Sequence, residues 1–162
     1  MIYSEAVIVL TEFFKSDVIN REFGEVSAHE VFDSCSPIIS QVVPDLPKDG
    51  FGHQSGVYFI CSPDSEIYYI GKATKDNLHE EIWGKLKTPS PTKENMNTYP
   101  KNYFLNKDID TNAVGDVTNG NVSLGVLVVS NPILASLSEV YLQSVYYQRN
   151  RGLLPKLNSR IG

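Results

Sequence analysis

Two tyrosines, a lysine and an isolated carboxylate carry the chemistry legible in this chain. Gly56-Val57-Tyr58 is followed, ten residues on, by Tyr69-Ile70-Gly71-Lys72-Ala73. Each triplet is an apolar run anchored by a Tyr and a Gly, and Pro63-Asp64-Ser65 between them is a turn signal. The pattern predicts a β-hairpin of residues 56–61 and 66–70, with Tyr58 and Tyr69 on adjacent strands. A phenol donates hydrogen bonds, and with cations beside it can take a proton; Lys72 sits directly after the second triplet. The carboxylate is Glu139, the one charged residue between Pro132 and Gln148. A carboxylate on so apolar a helix must be paired, hydrogen-bonded or bound to a metal. Core packing is the competing reading for tyrosines in a chain that has nine of them, and a structural hydrogen-bonded Glu is the competing reading for Glu139.

Several elements must position these groups. Apolar spacing at Ala6, Val7, Leu10, Phe13, Phe14 and Val18 predicts a helix over 4–20 with Ser4 as its N-cap. A short helix is read over 27–34, and a Pro/Gly connector over 44–50. Leu78, Ile82, Trp83 and Leu86 predict a helix over 76–86. Residues 88–101 read as a long loop, 101–109 as a short helix and 115–121 as turn-rich. Val122 to Ser130 reads as a strand. Asn131 and Pro132 then start a helix that runs to about Asn150, cap followed by proline. That helix is apolar nearly all round, so it is expected to be largely buried. The expected class is α/β (α+β), with a small mixed sheet of three strands flanked by helices. Residues 1–50 form a helical N-terminal extension and residues 51–162 the motif domain.

Composition sets outer limits. Apolar residues make up 41% and charged residues 20% of 162 residues, which suits one domain with its own core. No run approaches the ~18 apolar residues of a membrane span. The start of the chain lacks the basic and cleavage features of a signal peptide, so a cytoplasmic location and two reduced thiols, Cys35 and Cys61, are expected. The net charge is −5, but it is uneven. Residues 1–50 hold three basic and nine acidic side chains (−6), and residues 51–162 hold eleven and ten (+1). Arg149, Arg151, Lys156 and Arg160 make the last stretch basic, either a phosphate-contacting footprint or a solvated tail.

The paired triplets and their spacing resemble the GIY-YIG nuclease superfamily, with Val for Ile in the first triplet. The superfamily includes phage homing endonucleases, some restriction enzymes and an excision-repair incision domain. The resemblance implies a metal-dependent DNA endonuclease. Tyr58 would be its base or water-positioning residue, aided by Tyr69 and Lys72. Glu139 would bind one divalent ion, Mg²⁺ or Mn²⁺, and Asn158 would support the site. The family's helix arginine is missing. The helix pattern puts Glu81 at its place and Lys85 one turn later, whereas an ungapped count from Gly71 puts His79 there. The alternative is therefore a catalytically inactive domain that binds nucleic acid or protein. A third reading is a defence-type nuclease regulated by a protein partner or inhibitor. DNA is the expected partner and no membrane is. Deleting the acidic residues 1–50 is expected to tighten DNA binding at low salt if the remainder folds, because charge acts over a Debye length of about 8–10 Å.

Overall fold

The computed structural model describes residues 1–26, 28–35, 51–86, 88–89, 97–98, 104 and 110–162. In chain order the elements are α1 (Tyr3–Phe14), α2 (Asp17–Phe23), β1 (Ala28–Cys35), a 3-10 turn (Phe51–His53), β2 (Gly56–Cys61), β3 (Ile67–Ala73), α3 (Leu78–Leu86), β4 (Thr88–Pro89), β5 (Asn97–Thr98), α4 (Thr111–Asn119), β6 (Val122–Val129) and α5 (Pro132–Arg149). The class is α+β. The strands β2, β3 and β6 form an antiparallel sheet that β1 extends at one edge, in the order β1-β6-β2-β3. Every pairing is antiparallel, so the sheet is not mixed. β4 and β5 pair only with each other.

Helices cover both faces of the sheet. Val57, Phe59, Cys61, Ile67 and Ile70 pack against α1, α2 and α5. Tyr58, Ile60, Val126 and Val128 pack against α3 and α4. Burial on both sides explains why β2 and β6 read as unbroken apolar runs rather than alternating ones. Cys61 lies in this interior, and burial pushes its thiol up to about 12. It is a free thiol. A register shift between Ile60 and Cys61 is a bulge that brings Tyr68 and Tyr69 together onto the α3 side of β3.

Four local expectations are corrected. The first helix breaks at Lys15 and restarts at Asp17. Its N-cap is Ile2 rather than Ser4, with the Glu5 carboxylate accepting from the Ile2 N–H at 2.9 Å. Residues 28–35 are a strand, not a helix. Pairing along the whole of β6 satisfies that backbone, and tertiary pairing of this kind overrides weak local propensity. The turn-rich 115–121 segment lies largely within α4. The Asp110 side chain caps it by accepting from Asn112 and Ala113, and Gly120 ends it in the left-handed region at φ 68°. Finally, α5 is buried only on the Leu134, Ala135, Ser138, Glu139, Leu142, Gln143 and Tyr146 face. Ile133, Leu137, Val140, Tyr141 and Tyr147 are exposed, because a sheet covers one face of a helix. The 44–50 connector and, apart from Phe104, the 101–109 segment read as a helix lie outside the described residues, as does most of the 88–101 loop.

The lead-in is therefore more than a helical extension. Tyr3, Leu10 and Phe14 of α1 share a core with the sheet, and Tyr3 donates to the Val126 carbonyl at 3.2 Å. Gly125 makes room for that ring, since a Cβ there would overlap it. Among the described residues no helix is long and apolar enough to cross a membrane.

Candidate active site

β3 is one of the two edge strands of the sheet, and the candidate site lies there. Tyr58 faces Gly71 across the hairpin, and Tyr69 is two residues back on the same face. Their rings are 6.0 Å apart and their hydroxyls are hydrogen-bonded. Gly71 is required by this arrangement: a Cβ there would stand 2.6 Å from the Tyr58 hydroxyl oxygen and 2.8 Å from the Tyr69 ring. The second triplet thus ends in glycine because a neighbouring phenol occupies the space a side chain would take.

Lys72 points to the opposite face of the sheet, toward α5. Its Nζ is 2.7 Å from Glu139 Oε2. The two side chains are 33% and 8% exposed, so the pair is mostly desolvated. The contact is an ion pair by distance but lacks hydrogen-bond direction, and Oε2 is otherwise an unsatisfied buried atom. The attraction holds without that alignment, since an ammonium swings easily and Coulomb attraction has no preferred direction. Glu139 and the tyrosines come from opposite faces and meet around the β3 edge. Tyr58, Tyr69, Lys72, Glu81, Lys85 and Glu139 all line one cleft of about 310 Å³. A neighbouring lobe of about 300 Å³ shares Tyr69, Lys85 and Glu139 and adds Asn158 and Arg160.

The chain is acidic but this cleft is not. Lys72, Lys75, Lys85 and Arg160 line its two lobes against Glu81 and Glu139, four cations to two anions. Such a lining focuses field toward an anionic ligand.

Burial sets the state of Tyr58. Its phenol is held well above the usual tyrosine range, first by desolvation, then by Tyr69, by Glu81 and by Glu139. It stays protonated at neutral pH, so Tyr58 is a hydrogen-bond donor here and not a phenolate base.

Other predicted site residues divide. Asn158 is a brace: its side chain accepts from the Ile70 N–H and donates to the Ile70 carbonyl, both at 2.9 Å. Those are edge groups of β3, next to Tyr69 and Gly71. Lys156 is committed elsewhere, 3.0 Å from Glu66 and 5.0 Å above the Tyr68 ring. Arg149 and Arg151 are exposed and line neither lobe. Ten residues of helix separate Arg149 from Glu139, about 15 Å along the axis. His79 packs against Gly52, away from the lining. The sequence reading missed Lys75, Asn77 and Gln143. Gln143 was findable, as a buried amide one turn beyond Glu139 on the same apolar helix; it donates to the Ile70 carbonyl at 3.2 Å.

No group of three or more His, Cys, Asp or Glu side chains that could hold a metal occurs among the described residues. A one-carboxylate Mg²⁺ site completed by water still fits Glu139, whose Oε2 has no directional partner.

Gly71→Ala is expected to push Tyr58 and Tyr69 apart, costing about 1–3 kcal/mol in stability by overpacking. A thermal melt equal to wild type would contradict that crowding.

Comparison of the chain with models of protein families, with curated proteins and with solved structures finds no match.

Proposed function

We propose that the protein is a GIY-YIG-type endonuclease that hydrolyses DNA phosphodiesters with one Mg²⁺ or Mn²⁺ at Glu139. The observation that carries the reading is the joint lining of one cationic cleft by Tyr58, Tyr69, Lys72 and Glu139. In the reaction, water attacks phosphorus and releases a proton to solvent, the bond to the leaving sugar oxygen breaks, and that oxygen takes up a proton from solvent. A bound divalent ion supplies positive charge where the scissile phosphate gains negative charge. Glu139 would hold the ion. The Tyr58 and Tyr69 hydroxyls, bonded to each other, leave one outward O–H to orient water or a phosphate oxygen. Lys72 balances the carboxylate in the ion-free protein, and with an ion held by Glu139 it would be free to face the phosphate.

Plasmid nicking in Mg²⁺ or Mn²⁺, with an EDTA control, tests the reading. Ion-dependent nicking supports it; none at any ion concentration refutes it. A second reading is an inactive domain that binds nucleic acid or protein. It is favoured by Glu81, which lines the cleft from α3 where the family would carry an arginine. Binding of DNA with no nicking would select it.

A further inference from the structure

We propose that Arg160 is the arginine that grips the phosphodiester in the Glu139 cleft, in place of the one α3 lacks; this rests on the phosphodiester reading above. A planar guanidinium holds two phosphate oxygens at once, which an ammonium does not. The chain has no arginine between Arg21 and Arg149. Arg21 is paired with Glu22 on α2, and Arg149 and Arg151 do not line the cleft. Arg160 does, together with Tyr69, Lys85 and Glu139.

Its backbone is fastened on both sides. Three residues before it, the Leu157 N–H donates to the Tyr68 carbonyl at 2.8 Å, and two before it Asn158 brackets Ile70. Two residues after it, the Gly162 N–H donates to Gln143 Oε1 at 2.7 Å. Gln143 in turn holds Ile70, so both fastenings end on the strand that carries the second triplet. Between them, Ser159 and Arg160 are thereby held where they line the lobe beside Glu139. The lost freedom of that segment is already spent in folding, which lowers the cost of binding.

The charge of Arg160 is also unspent: it has no ion-pair partner among the described residues. Lys72 differs, being tied to Glu139. Arg160 also offsets Glu139, which lines the same lobe.

The test pairs binding with cleavage on the full chain. Binding of a short DNA duplex is titrated in EDTA at two salt concentrations, and plasmid nicking is measured in Mn²⁺. Arg160→Ala is expected to weaken binding by roughly tenfold at low salt and reduce the salt slope by about one. Arg160→Lys should keep the slope but cut nicking by about 100-fold, because charge returns without the fork. Arg21→Ala should match wild type in both, and melting curves check that each variant folds. Arg160→Ala binding and nicking as wild type would overturn the assignment, as would a wild-type protein that binds no DNA. A wild type that binds but does not nick refutes the nuclease reading alone, and the binding titration still decides Arg160.

Discussion

Glu139→Ala is expected to abolish the proposed ion-dependent nicking, with a loss of at least about 1000-fold. The magnitude follows from losing the ion's hold on the scissile phosphate. That stabilisation amounts to several kcal/mol, and ~4 kcal/mol is about three decades in rate. The fold should survive the change. Lys72 is a third exposed, so its ammonium can turn to water when its partner is removed, unlike a fully buried charge. A melt close to that of wild type, with no nicking, is the expected pair of results. A Glu139→Ala protein that nicks as fast as wild type would place the activity elsewhere.

Deleting residues 1–50 is expected to unfold the protein. The earlier expectation was tighter DNA binding by the truncated chain, with loss of fold as its proviso. The structure turns the proviso into the outcome. Tyr3, Val9, Leu10, Phe14 and Ile19 are buried against the sheet and α5. At about 1.5–3 kcal/mol each, their loss removes roughly 8–15 kcal/mol, comparable to the whole net stability of a domain, about 5–15 kcal/mol. The same deletion strips β1 from β6 and bares an apolar edge. Circular dichroism should show no cooperative melt; a cooperative one would contradict this account. Shielding by the acidic lead-in is better tested in the full chain by Glu12→Gln, Glu22→Gln and Glu25→Gln together. All three are exposed, and the triple variant should bind DNA more tightly at low salt but not at high salt. Equal affinity at both would refute shielding.

How far the sequence carried the reading depends on whether the signal was local. The Asn131-Pro132 start of α5 is a local rule, and the side chain caps as expected, accepting from Ile133 and Leu134. The hairpin and β6 were legible from their apolar runs. β1 was not, because what makes it a strand is pairing with β6 about a hundred positions away. The exposed stripe of α5 was hidden for a similar reason: composition says a helix is apolar, but only topology says how many faces are covered. At the site, the residue types were readable and their states were not. Tyr58 looked able to serve as a base until burial and its carboxylate neighbours were seen to hold it protonated. Asn158 read as a turn or supporting residue, and its bracket on Ile70 needed the fold to bring the chain's last stretch back to β3. Of four basic residues near that end, the fold gives Lys156 to Glu66, leaves two outside, and sends only Arg160 to the cleft.

Mn²⁺ soaked into crystals of the full chain shows by its anomalous scattering whether Glu139 holds an ion. One strong peak is expected within coordination distance of the Glu139 carboxylate, in the cleft lined by Tyr58 and Tyr69, with the Lys72 ammonium moved off Oε2. No peak there at saturating Mn²⁺, with the Lys72–Glu139 pair still closed, would contradict it.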